Sequence, residues 1–461
     1  MKPWIKTYFP VIILLGAIFF LWINRWESLS FPYYWDEMGV YGKGVQYLFA
    51  NGNGVLPASL PPELSRGHPL LFYFIHALVI DCFGNSFFVS HAFALLLSTA
   101  TIISVYFLAK ILLPKPIAAA TACLLLSQNI FIAQSTFVLP EISVTLISTL
   151  ALLSFLKGRY FHMAVLLCVG VWIKESVILI AAFFGIVYFL RLIFSGKFKK
   201  EFNQLLIFTL PLIGFLGFLF IQKIQNGWYF FPYHTSIVEE GAFSGFFDKL
   251  DMHYNFIFYK QGRNQWLITA IITLISLPMM KKAKSMLLLI GFFLSNVVIF
   301  SLAFYMDRYL LYLYPVLVII IAQGLYTLSG KRVKLTLLLL LVFCGLSLYQ
   351  LNNPSFRYDV AIAYEDLLQI HLEAIDELKE IEQDHFTLGS NFPIDMSLDD
   401  TRLGYVDEAF NARVSLHPLN QNPDYMLLYK SPAFGNYSPI KEFEQGETKI
   451  VLYKRDYEAT Y

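Results

Sequence analysis

Long apolar segments separated by short basic clusters make up most of the chain up to residue 351. A helix that crosses the hydrocarbon core of a bilayer needs about 20 apolar residues, and on that basis we predict about eleven transmembrane helices. The predicted helices lie at residues 8–24, 87–109, 117–134, 138–156, 160–174, 176–194, 204–222, 265–280, 285–304, 308–328 and 334–351. The segment 68–84 is short and carries His76 and Asp81, so we interpret it as an interfacial or half-inserted helix.

The basic clusters between these helices predict the orientation of the chain. They are Lys110/Lys115, Lys157/Arg159, Lys197/Lys199/Lys200, Lys281/Lys282/Lys284 and Lys331/Arg332/Lys334. Cytoplasmic loops of membrane proteins carry an excess of Lys and Arg, which places all five clusters inside the cell. Segments 25–86, 135–137, 223–264 and 305–307, and everything after Leu351, are then extracytoplasmic. We therefore expect a multi-pass protein of the plasma or inner membrane.

The last part of the chain has a different pattern. Residues 361–383 have the apolar spacing of an amphipathic helix with an acidic polar face. Strand-like runs follow at His385–Leu388, Tyr425–Tyr429 and Thr448–Tyr453, with Pro and Gly between them. We predict a transmembrane domain of residues 1–351 followed by a small soluble α/β domain of residues 352–461.

Composition and charge agree with this division. The chain is 57% hydrophobic and only 15% charged, whereas soluble proteins carry about 25% charged residues. Residues 352–461 hold 20 acidic and 9 basic residues, and the rest of the chain holds 13 acidic and 25 basic ones. The basic residues are dispersed among loops and the soluble domain is acidic, so no nucleic-acid partner is expected. The four cysteines are scattered, which argues against a zinc site and against disulfides.

Two adjacent carboxylates, Asp36 and Glu37, follow Trp35 just beyond the first predicted helix. Folding does not require them there, and a carboxylate beside a membrane can accept a proton from an acceptor hydroxyl. The alternative is an acidic residue that caps a helix, since Asp is a common N-cap. Glu141 opens a predicted helix after Pro140, where it serves chemistry or interacts favourably with the helix dipole.

Several basic side chains are predicted on the same outer side as these acids. Arg308 is the strongest candidate to bind a phosphate, because Arg at an outer helix end departs from the usual bias and grips phosphate with two hydrogen bonds. The alternative for Arg308 is an ion pair with Asp307 or an interaction with lipid headgroups. The outer segment 223–264 also holds an aromatic cluster at residues 228–233, which either stacks on a sugar or forms an interfacial aromatic belt.

Five motifs in this order resemble the polytopic glycosyltransferases of the GT-C type, glycosyltransferase family 39. That family includes protein O-mannosyltransferases and lipid A aminoarabinose transferases. The motifs are Trp35-Asp36-Glu37, Arg66-Gly67-His68-Pro69-Leu70, Pro140-Glu141, Trp172-Ile173-Lys174-Glu175 and Asp307-Arg308-Tyr309-Leu310-Leu311 with Pro315. The resemblance covers about residues 8–330. Where the family usually has His-Pro-Pro-Leu this chain has one proline, and where it more often has Asp this chain has Glu141.

The resemblance implies an all-α GT-C fold and an inverting transfer of a sugar from a polyprenyl-phosphate donor to an acceptor hydroxyl on the extracytoplasmic face. It implies Asp36 as general base, assisted by Glu37 and Glu141. It implies a donor phosphate bound by Arg308, Lys174, Arg66, His68 and Lys43, and a substrate cavity that includes Trp35, Tyr34, Tyr309, Trp228 and Tyr229. No cofactor is required, although a divalent cation held by Asp36, Glu37 and Glu141 stays open as an alternative.

Two other functions fit the same sequence. One is an inactive GT-C relative that acts in assembly of the cell envelope, and the other is a transporter of lipid or sugar. The candidate charges gather at one face of the membrane and do not line a path through its middle, which argues against the transporter.

Overall fold

A computed structural model describes residues 3–52, 54–196, 198–239, 245–259, 263–302, 306–352, 358–381, 386–398, 400–408, 413–415, 423–432, 435–446 and 448–456. The α-helices are α1 (Pro3–Asn24), α2 (Asp36–Gly39), α3 (Tyr41–Asn51), α4 (Pro62–Ser65), α5 (Leu71–Phe83), α6 (Phe87–Leu112), α7 (Lys115–Leu126), α8 (Asn129–Gln134), α9 (Pro140–Leu156), α10 (Tyr160–Ile173), α11 (Val177–Ser195), α12 (Phe198–Ile207), α13 (Leu210–Asn226), α14 (Pro232–Glu239), α15 (Phe246–Tyr254), α16 (Asn264–Ile275), α17 (Ala283–Leu302), α18 (Tyr314–Leu328), α19 (Val333–Tyr349), α20 (Tyr364–Glu380) and α21 (Ile394–Ser397). Some sequence predictions fall on residues outside the described ranges. They concern the predicted strand start at His385, Lys197 of one basic cluster, and parts of the predicted extracytoplasmic segments 223–264 and 305–307.

The helical part of the chain is a multi-pass membrane protein. In the described residues, five helices are long and apolar enough to cross a bilayer: Phe87–Leu112, Val177–Ser195, Phe202–Asn226, Ala283–Leu302 and Asp307–Leu328. Seven shorter apolar helices accompany them: Tyr8–Asn24, Leu71–Phe83, Lys115–Leu126, Pro140–Leu156, Tyr160–Ile173, Asn264–Ile275 and Val333–Tyr349. The predicted helices fall on these two groups, and large apolar side chains such as Ile213 and Ile224 point outward as a lipid-facing surface requires.

Several predicted segments contain helices of fewer than 20 residues, among them α10 with 14 residues and α16 with 12; segments 68–84 and 117–134 differ most from one transmembrane helix. Segment 68–84 contains α5, whose 13 residues span about 20 Å of a hydrocarbon core that is about 30 Å thick. Segment 117–134 was predicted as one helix, but it breaks between α7 and α8. The break is at polar Ser127 and Gln128, and the Gln128 amide donates to the Leu124 carbonyl at 2.6 Å and accepts from Arg263 Nη1 at 2.7 Å.

The C-terminal α/β domain is built on a five-stranded mixed sheet. Its strands are β1 (Leu388–Ser390), β2 (Arg413–Ser415), β3 (Tyr425–Tyr429), β4 (Tyr437–Gln445) and β5 (Thr448–Arg455), in the order β2-β1-β3-β5-β4. β1 runs parallel to β2 and β3, and β5 runs antiparallel to β3 and β4. The amphipathic helix α20 packs on β4 and β5, so the predicted helix 361–383 and the predicted α/β class are both confirmed.

The sequence predicted neither β2 nor β4, and β4 is the longer of these two strands. It is an edge strand of the described sheet, most of its side chains are exposed, and it carries Lys441, Glu442 and Glu444. Pro439 lies in it at an irregularity of the pairing with β5, as is usual for proline in an edge strand. Charges and proline protect an edge against aggregation, and they also remove the alternating apolar pattern by which a strand is recognised.

The C-terminal domain is joined to the membrane part through a buried arginine. Arg25, which follows the last residue of α1, is fully buried and donates to Glu365 Oε1 at 2.6 Å and to Thr136 Oγ1 at 3.2 Å. Its guanidinium also lies 5.6 Å from the centre of the Tyr364 ring. Since Glu365 and Tyr364 begin α20, this ion pair fixes the first turn of that helix against the bundle.

We expect Glu365→Ala to loosen the C-terminal domain, because it leaves the charge of Arg25 buried without its carboxylate. Removing one partner of a fully buried ion pair costs about 3–5 kcal/mol, and Glu365 is one third exposed, so about 1–3 kcal/mol is expected here. The measurement is the melting temperature together with limited proteolysis of the domain. Asp376→Ala removes the exposed pair with Lys379 on the same helix and should leave both unchanged. Equal effects of the two substitutions would contradict the assignment.

Candidate active site

A cavity of about 450 Å³ opens at the end of the bundle that holds the candidate residues. Six of the predicted residues line it together: Asp36, Arg66, His68, Lys174, Arg308 and Tyr309. The other lining residues are Val40, Tyr41, Glu175, Ser176, Leu179, Tyr233, His234, Phe300 and Met306. A second, much smaller space is lined by residues that include Glu141, Lys174 and Arg308. The fold thus gathers four of the five distant motifs around the large cavity, and the fifth, at Glu141, lines the smaller space.

The chain geometry around Trp35 aims Asp36 into the cavity. Trp35 has φ 55° and ψ −120°, a conformation that costs a bulky residue on the order of 1–3 kcal/mol. Its ring is held between Tyr358 and Phe392, at centroid distances of 4.4 and 4.6 Å. The helix α2 begins at Asp36 and has no side-chain capping hydrogen bond, so capping does not explain this carboxylate.

Glu37 points the other way and is fully buried. Its carboxylate accepts hydrogen bonds from the Tyr34 amide at 2.9 Å and the Val138 amide at 2.6 Å, and it lies 3.3 Å from His91 Nε2. These contacts tie the first outer segment to the connection before α9. The sequence prediction gave Glu37 a catalytic role, but the structure places it outside the cavity, where it fixes the turn that carries Asp36.

The guanidinium of Arg308 lies at the centre of the site. Nη1 pairs with Asp36 and, at 2.7 Å, with Asp359, while Nε pairs with Glu141 at 3.1 Å. The side chain is 5% exposed, and three carboxylates more than satisfy its charge. The sequence analysis offered an ion pair between Arg308 and Asp307 as an alternative, but the ion pairs of Arg308 given above are with Asp36, Asp359 and Glu141.

Lys174 and Glu141 form the second ion pair of the site. Lys174 Nζ lies 2.6 Å from Glu141 Oε1 and 3.9 Å from the centre of the Tyr309 ring. Both residues are almost fully buried, and the second oxygen of Glu141 has no hydrogen-bond partner among the described residues. Glu141 is held between Lys174 and Arg308, so its geometry is that of a residue that positions two cations.

Asp359 is the acid that sequence analysis missed. It lies in the short 3-10 turn Tyr358–Val360, just before α20, in the segment expected to be a separate soluble domain. Burial raises the pKa of its carboxyl to about 6, and the neighbouring Asp36 adds to the rise while Arg308 opposes it. The only sequence signal was a lone Asp near the end of the membrane part, and 51 residues separate it from Arg308.

Two histidines and a glutamate form another part of the wall. His68 Nδ1 lies 3.1 Å from both oxygens of Glu175, and the His68 ring is 5.6 Å from that of His234. Arg66 adopts a left-handed backbone, with φ 44°, at the end of α4. His234 is not among the candidate residues of the sequence analysis, so its place in this wall is a second feature that the sequence did not reveal.

The remaining predicted residues lie outside the cavity. Lys43 is 3.6 Å from Asp400 of the C-terminal domain. Tyr34 is buried against Phe137 and Tyr364, and Trp35 packs on the rings described above. Trp228 covers Gly67, which has a positive φ of 73° and no room for a side chain, since a Cβ atom there would lie 2.9 Å from Phe231.

Tyr229 also lies away from the cavity, and about half of its surface is exposed. Among the described residues, no three His, Cys, Asp or Glu side chains are grouped to hold a metal ion. Asp36 and Glu141 converge on Arg308 and Glu37 converges on backbone amides, so the three acids do not share a site.

Comparison with known proteins gives two findings. Residues 67–222 match the family model described as dolichyl-phosphate-mannose-protein mannosyltransferase. The structure resembles the crystal structure of ArnT from Cupriavidus metallidurans bound to undecaprenyl phosphate, with a TM-score of 0.59 and 13% identity over 96% of this chain and 97% of that one. For the apo state of that ArnT the TM-score is 0.57 and the identity 12% over the same shares. A search of curated proteins finds no match.

These findings show a membrane protein with the GT-C fold of ArnT, in which residues 67–222 match a mannosyltransferase family model. The resemblance to family 39 that was predicted from five short motifs is confirmed.

We expect Glu141→Gln to destabilise the protein, because Lys174 and Arg308 lose the carboxylate that joins them in a buried position. Removing one partner of a buried pair costs about 3–5 kcal/mol, and Arg308 keeps two other carboxylates, so the cost should lie near the lower end of that range. The melting temperature of the purified protein measures it. Glu63→Gln, on the exposed face of α4, is the control. An unchanged melting temperature in Glu141→Gln would contradict the ion-pair account.

Proposed function

We propose that the protein transfers a sugar from a polyprenyl-phosphate carrier to an acceptor hydroxyl, with Asp36 as general base. The observation that carries this proposal is one cavity in which a carboxylate, Asp36, faces the cations Arg308, Lys174 and Arg66. Such a reaction requires a base for the acceptor proton and cations for the phosphate that leaves.

Arg308 and Lys174 supply the charge that a leaving phosphate needs. Nη2 of Arg308 has no hydrogen bond to any described residue, so one face of the guanidinium is available to an anionic oxygen. Lys174 supports it as a point charge, and Arg66 and His68 lie on the wall of the same cavity. Because these groups are shielded from bulk water, their attraction for a phosphate is stronger than at an open surface.

The same cavity has an apolar side that suits a prenyl chain. Leu179 and Phe300, from α11 and α17, line it together with Val40 and Met306. α11 and α17 are both long apolar helices, so a carrier lipid can enter from the bilayer while its phosphate reaches Arg308. The likeness to an ArnT whose crystal structure holds undecaprenyl phosphate supports this class of donor.

The bond changes follow from this arrangement. An acceptor oxygen attacks the anomeric carbon while Asp36 takes the hydroxyl proton, and the bond between that carbon and the phosphate oxygen breaks. The electron pair leaves with the phosphate, whose growing negative charge Arg308 and Lys174 stabilise. Binding of the phosphate on Arg308 competes with Asp36 for the guanidinium, which frees the carboxylate to act as a base.

Asp359 gives the C-terminal domain a part in this reaction. The Asp359 carboxylate pairs with Nη1 of Arg308. It adds a third negative charge, besides those of Asp36 and Glu141, next to the proposed phosphate site. A donor phosphate therefore binds better when Asp359 is protonated or withdrawn. We infer that Asp359 is a positioning residue that sets how strongly Arg308 binds the donor.

Inversion at the anomeric carbon and an extracytoplasmic site are the finer parts of the proposal. They rest on the family resemblance and on the distribution of basic loops. The acceptor class stays open among protein, glycan and lipid.

We expect Asp36→Asn to lower sugar transfer at least about a hundredfold, since a general base contributes about 10²–10⁴ in rate. The measurement is transfer from radiolabelled polyprenyl-phosphate sugars to envelope acceptors, by purified protein in lipid nanodiscs. Asp81→Asn makes the same change at an exposed position outside the cavity and should keep full activity.

Binding of polyprenyl phosphate by Asp36→Asn provides the folding control and should persist. Full transfer by a protein that binds the carrier would remove Asp36 as the base. Carrier binding without transfer in the wild type, for every donor and acceptor, would favour an inactive relative.

We expect Asp359→Asn to change the pH dependence of donor binding. In the wild type the Asp359 carboxyl is protonated below its pKa of about 6, so affinity for an anionic donor should fall as the pH rises through that value. In Asp359→Asn this fall should be absent, and binding at pH near 7.5 should be about fivefold tighter, because one like charge near the site is worth about 1 kcal/mol.

The donor diester is the right probe, because its phosphate does not titrate in this range. Every other titrating group of the cavity is present in both variants, so the difference between them reports on Asp359. Asp376→Asn, exposed on α20, is the matched control. Parallel pH profiles for wild type and Asp359→Asn would overturn this role.

A further inference from the structure

A second cavity lies at the opposite end of the bundle. It has a volume of about 380 Å³ and is called the basal cavity here; its lining is Leu112, Ser276, Met279, Met280, Lys281, Lys282, Met286, Gln323, Tyr326, Thr327 and Lys331. α17 contributes Met286 to the basal cavity and Phe300 to the candidate active site. Fourteen residues of helix separate these two positions, which corresponds to about 21 Å. The two cavities are therefore separate sites.

The charge of the basal cavity is positive and uncompensated. Lys281, Lys282 and Lys331 line it, and no acidic residue lines it. The chain has no acidic residue at 82–140, 252–306 or 308–358, the stretches from which all of its lining comes. Three cations with no carboxylate among the described lining residues favour an anionic ligand.

The basal cavity also has apolar and adaptable lining residues. Met286 is buried and Met279 is exposed, and together with Met280 they give the lining flexible side chains that fit irregular apolar ligands. Gln323 and Ser276 are both buried, with 8% and 4% of their surface exposed, and Gln323 donates to Thr327. Lysines and methionines in one lining match an amphiphile with an anionic headgroup.

The backbone places two of the lysines in the lining. Lys282 donates to the Ile111 carbonyl, so it joins the start of α17 to the end of α6. α18 ends in a left-handed turn, in which Gly330 has φ 62° and Lys331 has φ 63°, and the Lys331 amide donates to the Tyr326 carbonyl at 2.9 Å. Glycine adopts this conformation freely and lysine does so at a cost, so the fold holds Lys331 here against its preference.

We propose that the basal cavity binds an anionic phospholipid, with its phosphate on Lys281 and Lys331 and an acyl chain against the methionines. Basic pockets between transmembrane helices bind phosphate headgroups in this way. A free phosphate shares the headgroup chemistry but leaves the apolar lining residues uncovered. The basal cavity therefore differs from the candidate active site in its position, its lining residues and its proposed ligand.

The test compares lipid binding by full-length protein in detergent, using radiolabelled phosphatidylglycerol as the probe. The variant K281Q/K331G removes two cations, and the glycine suits the left-handed backbone at position 331, so folding should not suffer. We expect this variant to bind phosphatidylglycerol about tenfold more weakly than the wild type, because each lysine near a headgroup phosphate contributes to the free energy of binding. K157Q/R159Q removes two exposed cations that do not line the cavity and should bind within about twofold of the wild type.

Two further arms separate the possible ligands. Phosphatidylcholine should bind weakly and equally to all three proteins, and millimolar inorganic phosphate should not displace phosphatidylglycerol. Equal binding of phosphatidylglycerol by the wild type and K281Q/K331G would overturn the proposal, as would an equal loss in K157Q/R159Q. Full displacement by inorganic phosphate would assign the cavity to the free ion instead of a lipid.

Discussion

The site depends on one buried guanidinium that three distant carboxylates share. Arg308 lies in the first turn of the apolar segment Asp307–Leu328. Its partners Asp36, Glu141 and Asp359 come from the segment after α1, the start of α9 and the segment after α19. A buried arginine is costly unless it is paired. The pairing therefore holds three parts of the chain in register, and the geometry of the site follows from it.

The same interaction couples the C-terminal domain to the membrane part. Arg308 holds Tyr358–Val360, Arg25 holds the first turn of α20, and Trp35 packs between Tyr358 and Phe392. These contacts are side by side, and Trp35 immediately precedes the proposed base. Aromatic contacts from the C-terminal domain hold the strained backbone of Trp35 in place. The position of Asp36 therefore depends on that domain, although the proposed base itself belongs to the membrane part.

The sequence predicted most of the helices, the α/β class of the C-terminal domain and six of the residues that line the cavity. Those predictions succeed because apolar length, amphipathic spacing and outward-facing cations leave local signals in the chain. The different fates of Asp36 and Glu37 leave no such signal, since they depend on which way one turn is rotated by the Tyr34 and Val138 amides. The sequence analysis did not predict Asp359 as a site residue for a related reason. Asp359 contacts Arg308 across 51 residues of chain, and the composition of its segment indicated a soluble domain.

The ion pairs that assemble this site also oppose the binding of an anion to it. Three carboxylates around Arg308 and Lys174 leave the cluster with more acid than base, whereas the proposed reaction brings an anion to it. In that proposal a phosphate binds best when a carboxylate releases Arg308 or takes up a proton. Asp36 is the most exposed of the three, at 24%, and Asp359 has the raised pKa. On the proposed mechanism, binding of the donor therefore releases Asp36 to act as a base and favours protonation of Asp359, so that donor binding itself prepares the site for transfer.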